Sequence, residues 1–329
     1  MVLIVGAGAV GTILATYLSA AKQPVKLLVR QKNWQQYAAT PALVVDRSDG
    51  KTALAAPKPA LTTVLDLKGI EYLFLCVKYP DLDALLAQLP PKLPPGLTLV
   101  STLNGISAIR RIRARFPGHK AVSMTIMFNG QLLAPLHAQI TTRPQLLIGT
   151  DDTRLLALFG SSGMKVTPAR GDTAVWGKLL INLANAIGAL THTTFKDLLT
   201  RTDLRAIFAA VMDEAVATLQ HARVDFQLPI PLPPKLYRKL LLHGGPLPWW
   251  FAKLRNGLQP GSYPSMVSDI ESGRKTEVVQ LNGEIVALGR AHQRPTPHNA
   301  KILELVQAIE GKLPPAYFTS AELRSRLRI

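Results

Sequence analysis

The residues nearest the N-terminus whose types could do chemistry are glycines. Gly6-Ala7-Gly8-Ala9-Val10-Gly11 follows the apolar run Val2–Val5, and Ile13, Leu14, Tyr17 and Leu18 then recur at helical spacing. A glycine turn between a strand and a helix can cradle a pyrophosphate. Gly6 permits the tight turn, Gly8 lets the backbone approach the phosphates, and Gly11 lets the helix pack close to the sheet. The phosphates would sit on free N–H groups at the positive helix end. The whole turn, Ala7, Ala9 and Val10 included, is therefore a candidate cofactor contact. The next apolar run, Val25–Val29, ends at Arg30, where an NAD site would carry Asp or Glu for the ribose 2′-hydroxyl. A cation there suits a 2′-phosphate and favours NADP (NADPH). A solvated strand-end arginine is the plainer reading, and the glycine turn upstream favours the first. Lys78, after the run Tyr72–Val77, could reach the same phosphate or simply be a surface lysine opening a helix.

These residues need a frame. Val2–Val5, the glycine turn, the helix and Val25–Val29 form a βαβ unit. Val44–Asp46 and Thr52–Leu54 flank Ser48-Asp49-Gly50 as a hairpin. Strands are expected at Tyr72–Val77, Leu97–Val100, Ala121–Met127, Leu136–Thr141 and Leu146–Ile148, with helices at Asp81–Leu89 and Ile106–Phe116. After Thr167 the period becomes helical, through Val175–Leu190, Leu204–His221, Thr276–Ala291 and Ala300–Glu310. The expected fold is α/β: a Rossmann-type dinucleotide-binding domain over 1–168, then an all-helical substrate domain over 169–329. Phe226–Trp250, with six prolines and the pair Trp249-Trp250, reads as a rigid loop on the helical domain.

Composition narrows the classes. At 329 residues and 47% hydrophobic, the chain can bury a large core and is not wholly disordered. No uninterrupted apolar run approaches the ~18 residues of a membrane span. The single cysteine, Cys76, excludes a disulfide framework or Cys-based zinc cluster and reads as a buried small hydrophobe. The histidines show no metal-ligand spacing, so no metal is expected. Val2–Val5 follows Met1 with no basic region before it, unlike a signal peptide, and a cytoplasmic location is expected. Lys and Arg number 38 against 21 Asp and Glu, a formal charge of +17 that favours anionic partners.

Trp176-Gly177-Lys178-Leu179-Leu180-Ile181-Asn182 and the run from Ser265 through Asp269-Ile270-Glu271-Ser272-Gly273-Arg274-Lys275-Thr276-Glu277 to Leu281-Asn282-Gly283 sharpen the reading. With the glycine turn and Leu103-Asn104-Gly105, they resemble the ketopantoate reductase (2-dehydropantoate 2-reductase) family over nearly the whole chain. The resemblance implies an NADPH-dependent reduction of a 2-oxo acid, by default ketopantoate on the route to pantothenate and coenzyme A, at a site between a Rossmann domain and a helical domain. It makes Lys178 the catalytic lysine and general acid. Glu277 becomes the acidic residue of the substrate site, near the lysine and cofactor. Asn104 would touch the nicotinamide–ribose region or the lysine, Asn182 would orient substrate, and Ser265 would bind its carboxylate. Taken singly, each residue has a plainer role: a surface lysine, an ion pair of Glu277 with Arg274 or Lys275, a simple Asn104-Gly105 turn, or a helix cap at Ser265.

The chain departs from the family where Ala186-Ile187 replace a second asparagine and proline, with Asn185 one position early. That departure keeps open a different 2-oxo acid, or a relative joining such an acid to an amine. The +17 charge, Arg110–Arg115 and the tail Arg324, Arg326 and Arg328 also admit a nucleic-acid or anionic-surface binder. Steering of anionic cofactor and substrate explains the charge equally, so no specific nucleic acid is expected. A homodimer is compatible with the sequence. Trp249-Trp250 beside Lys253 and Arg255 reads as a core or interface pair, with no membrane partner expected. Asn299 reads as a helix cap.

Overall fold

A computed structural model describes residues 1–47 and 52–329. The tip of the expected hairpin, Ser48-Asp49-Gly50, lies outside the described residues; its flanking strands Ala42–Arg47 and Leu54–Pro57 pair antiparallel. The chain divides into two compact units, 1–103 with 107–172, and 104–106 with 173–329.

The first unit is built on an eight-stranded sheet. In spatial order its strands are Lys165–Pro168, Gln145–Ile148, Ala121–Ile126, Thr98–Ser101, Tyr72–Leu75, Val2–Val5, Val25–Leu28 and Ala60–Thr62. All neighbours are parallel except Ala121–Ile126 with Gln145–Ile148. Continuous apolar runs follow from burial on both faces. Val2 and Ile4 join one core cluster with Tyr72 and Phe74, whereas Leu3 and Val5 join another with Leu73 and Leu75. Each fully buried Leu or Ile contributes roughly 1.5–3 kcal/mol.

The helix after the glycine turn, Ala9–Ala20, is buried continuously from Gly11 to Leu18. A helix apolar all round needs cover all round. A second, four-stranded sheet supplies it, with strands Leu54–Pro57, Ala42–Arg47, His137–Ile140 and Gly130–Ala134 all packed on this helix. The short strands at 60–62, 130–134 and 165–168 are too short to show a period in the sequence.

The second unit is helical. Its central helix, Thr173–Thr191, is long and apolar enough to cross a membrane by length and composition, but 78% of its apolar window is buried among the other helices. Phe226–Trp250 is not a loop: it holds the helix Pro234–His243 and the start of Leu247–Asn256. Their prolines sit in first turns, where a missing N–H costs nothing. The expected helix Thr276–Ala291 is broken into a single turn, Val278–Gln280, and the helix Asn282–Ala291. The break falls at Leu281, whose backbone (φ −116°, ψ −89°) leaves the helical region. Thr276 and Glu277 lie outside both elements, and Glu310 takes the Thr276 backbone N–H (2.8 Å) and hydroxyl (2.6 Å). The Thr276 hydroxyl in turn accepts from the Val278 N–H.

The glycine turn makes a direct test. Gly6 has φ +105°, and a Cβ at Gly11 would stand 1.9 Å from the Gly6 carbonyl oxygen. Gly8 has an ordinary extended backbone (φ −79°, ψ −167°), and a Cβ there meets nothing within 4 Å. Gly11→Ala should therefore destabilise by about 1–3 kcal/mol, as overpacking does. Gly8→Ala should stay within about 0.5 kcal/mol of the parent. Urea unfolding of the two variants checks this, and equal midpoints would contradict the packing described.

Candidate active site

The first unit presents a cavity of about 570 Å³ at the carboxyl ends of Val2–Val5 and Tyr72–Leu75. The strand Val2–Val5 lies between Val25–Leu28 and Tyr72–Leu75, so the sheet order reverses there, which is where doubly wound sheets bind ligands. Gly6, Ala7, Gly8, Arg30 and Lys78 line the cavity. Ala9 and Val10 open the helix, with Val10 against the core, and Gly11 is buried, so this half of the turn serves packing. Neither backbone conformation nor neighbouring atoms demand a glycine at position 8. The open space beside it is a cradle that a side chain would fill, and it fits the approach of a pyrophosphate.

Two cavity residues escape a reading of the sequence. Tyr37 donates its hydroxyl hydrogen to the Ala7 carbonyl (2.8 Å), bracing the glycine turn from 30 residues away. Asp81 accepts from Arg30 Nη2 at 2.7 Å. This exposed pair holds the guanidinium at the cavity wall while leaving donors of the fork for an anion. Asp81 in the first helical turn after Lys78 was visible as a helix-start residue, but its reach to Arg30 was not. Cys76 also lines the cavity. Burial pushes its thiol up to about 12, away from nucleophilic use.

The second unit brings three of the sequence-selected residues into one hydrogen-bonded chain. Lys178 Nζ donates to Asn104 Oδ1 at 2.7 Å, and Asn104 Nδ2 donates to Glu277 Oε2 at 2.8 Å. An ammonium only donates and an ionised carboxylate only accepts, so the amide has a single workable orientation. All three side chains are half-buried. Burial pulls the Lys178 ammonium down from 10.5 to about 8, while the Glu277 carboxylate pulls the other way.

Each member has a distinct support. Lys178 stands on the long central helix. Asn104 precedes Gly105, which has φ +74° and whose absent Cβ would fall 2.3 Å from the Gln280 carbonyl, so the Asn104 loop can lie against the Val278–Gln280 turn. Glu277 stands on backbone held by the Thr276–Glu310 contacts. Just upstream, Arg274 Nε donates to Asp269 Oδ1 (3.1 Å), and the Arg274 N–H donates to the Asp269 carbonyl (2.8 Å). Arg274 is thus Asp269's partner rather than Glu277's, and most of the Asp269–Glu277 run positions the final glutamate.

Asn182 is half-buried one helical turn beyond Lys178. Ser265 is exposed as the first residue of the helix Ser265–Glu271, and the Lys178–Asn104–Glu277 chain does not include it. Asn299 is not the cap of its helix. It is fully buried, donates to Glu214 Oε1 (2.8 Å) and the Val211 carbonyl, and accepts from Asn282. Glu214 is what takes the helix-start N–H groups of His298 and Asn299. Among the described residues no cluster of His, Cys, Asp and Glu could hold a metal.

Comparison with known proteins agrees across both units. The ketopantoate reductase PanE/ApbA family model matches residues 2–152, and the model of its C-terminal region matches 172–310. A 2-dehydropantoate 2-reductase of Aquifex aeolicus is 25% identical over 325 residues, covering 94% of this chain and 96% of that protein. The crystal structure of a PanE/ApbA family ketopantoate reductase from Ralstonia eutropha JMP134 superposes with TM-score 0.75 at 25% identity, covering 94% of this chain and 98% of that one. The fold is also that of D-mandelate dehydrogenase solved with NADH and anilino(oxo)acetate, with TM-score 0.76 at 17% identity over 94% of this chain and 98% of that one. The two family models together span nearly the whole chain, which is therefore a member of the ketopantoate reductase family of NAD(P)H-dependent oxidoreductases.

Proposed function

We propose that this chain reduces ketopantoate to pantoate with NADPH, in the cytoplasm, as a step toward pantothenate. The single observation that carries the reading is the hydrogen-bonded chain Lys178–Asn104–Glu277. When bound, NADPH supplies the hydride that reaches the ketone carbon. Negative charge then grows on the carbonyl oxygen. An ammonium hydrogen-bonded to that oxygen stabilises the charge and gives up a proton to complete the alcohol. Lys178 is the only member of the chain that can do both. An ammonium whose pKa lies near 8 is a better proton donor at neutral pH than an exposed lysine at 10.5. Asn104 holds it in one direction, and the Glu277 charge favours its protonated form. Asn182, on the same helix face by its i+4 spacing, and Ser265 are proposed substrate contacts.

On the first unit, Gly6–Gly11 is proposed to take the pyrophosphate, and Arg30 with Lys78 the 2′-phosphate. Two cations near one anionic group suit NADPH over NADH. A different 2-oxo acid is the second reading, favoured by one observation: Ala186 and Ile187 are fully buried and apolar, so the stripe Lys178–Asn182–Ala186 ends without a second amide. Oxidation of NADPH with ketopantoate, beside other 2-oxo acids and an NADH control, decides between them. Rapid turnover confined to ketopantoate is expected, and turnover only with another oxo acid would move the substrate and keep the mechanism.

Three outcomes follow from this geometry. Lys178→Ala should lower kcat by about 100-fold or more, with the NADPH Kd changed less than about threefold. Equal loss of binding and turnover would contradict a proton-donating role. Because the protonated amine is the working form, kcat/KM for reduction should fall above pH 8, and Glu277→Gln should move that limb to lower pH by removing the charge that raises Lys178. A limb unmoved by Glu277→Gln would contradict the coupling. Arg30→Ala should raise KM for NADPH at least about tenfold and leave NADH nearly unchanged; parallel changes would remove the 2′-phosphate assignment.

A further inference from the structure

The helix Leu247–Asn256 has apolar residues on two sides and cover on one. At 100° per residue, Leu247, Trp250 and Leu254 fall within an arc of about 60°. They are 57%, 50% and 68% exposed. Trp249 and Pro248 point the other way and are buried, Trp249 to 4% exposure. The adjacent tryptophans therefore do different work: one anchors the helix in the unit and its neighbour faces outward, so the expected core or interface pair is split. Ten large hydrophobic side chains are exposed among the described residues, and four of them fall between Leu236 and Leu254. That clustering is what distinguishes a binding face from ordinary scattered exposure.

The segment that carries this face has charges of one sign. No Asp or Glu occurs from Phe226 to Ser268, whereas Lys235, Arg238, Lys239, Lys253 and Arg255 do. On the helical projection Lys253 and Arg255 flank the exposed stripe on opposite sides. Lys253 Nζ stands 5.1 Å from the centre of the Trp250 ring. The neighbouring helix Pro234–His243, packed against this one, exposes Lys235 and Lys239 one turn apart. Arg238 is the cation of that helix drawn away, to Asp213 at 2.5 Å.

We propose that this face docks on an anionic lipid bilayer. Leu247, Trp250 and Leu254 enter the boundary between headgroups and acyl chains, and Lys235, Lys239 and Lys253 meet the headgroup phosphates. An apolar stripe bearing Trp and Leu, edged by Lys and Arg and free of acids, is the pattern of a helix lying in a membrane interface. Tryptophan favours that boundary because its ring is apolar and its N–H is polar. Lysine stems can lie along apolar surface while their charges stay in water. A second copy of this chain fits less well. It would bring like charges together on a chain of net charge +17. A nucleic acid would use the cations and leave the Leu and Trp stripe in water.

Cosedimentation of the full chain with vesicles tests this. The wild-type chain should bind vesicles of equal parts phosphatidylcholine and phosphatidylglycerol at least about tenfold more tightly than pure phosphatidylcholine. The double variant Trp250→Ser, Leu254→Ser should lose at least about fivefold of that binding. Lys235→Glu with Lys239→Glu should weaken it comparably. The substituted positions are exposed, Trp250 and Leu254 by half or more, so the variants should keep the wild-type circular dichroism and a cooperative melt above the assay temperature, which separates a lost contact from a lost fold. Three results would overturn the proposal: no wild-type binding to anionic vesicles; binding that the serine variant retains in full, which is adhesion by charge alone; or a wild-type dimer that the serine variant splits while neither binds vesicles, which makes a second copy the occupant.

Discussion

A partly buried ammonium next to a carboxylate is the constraint around which the helical unit is arranged. Burial pulls the Lys178 ammonium down, and the Glu277 charge pulls it back up. The two effects oppose each other, and Asn104 sets their balance by fixing the distance between the groups. Charge-assisted hydrogen bonds of this kind contribute about 1.5–3 kcal/mol each, enough to select one geometry among several side-chain rotamers.

That balance requires three backbone segments to be held independently. The lysine needs a rigid helix, and the buried Thr173–Thr191 element is the most deeply packed in its unit. The asparagine needs a loop that can lie against a turn, which Gly105 allows. The glutamate stands on irregular backbone between the helix Ser265–Glu271 and the turn Val278–Gln280, and Glu310, 34 residues from Thr276, anchors that backbone. The Asp269–Arg274 staple closes the segment from the other side. The glycine turn is held in a similar way: a side chain at Gly11 would meet the Gly6 carbonyl, Tyr37 braces the turn, and Gly8 is left with open space beside it.

Much of this arrangement could be read from sequence because it depends on local pattern. The glycine turn sits between an apolar run and a helical period, and both are visible in a dozen residues. Lys178, Asn104 and Glu277 were reached through the order of short motifs resembling those of a known family, and the structure joins them in one hydrogen-bonded chain. What escaped the sequence depends on contacts between distant segments. Nothing near Asp81 announces Arg30, nothing near Glu310 announces Thr276, and nothing near Glu214 announces the start of the helix bearing Asn299. The break at Leu281 is equally silent in the sequence, since the local period continues through it. The prolines of Phe226–Trp250 misled in the opposite direction, because a proline in a first helical turn looks in sequence like one in a loop.

The direct measurement is an NMR titration of the Lys178 side chain in the free protein. A midpoint near pH 8, falling further in Glu277→Gln, is the predicted result, since burial depresses the ammonium and the carboxylate partly restores it. A midpoint near 10.5 that ignores the Glu277 substitution would mean that the lysine is neither desolvated nor coupled to the carboxylate, and the proposed proton donor would lose its physical basis.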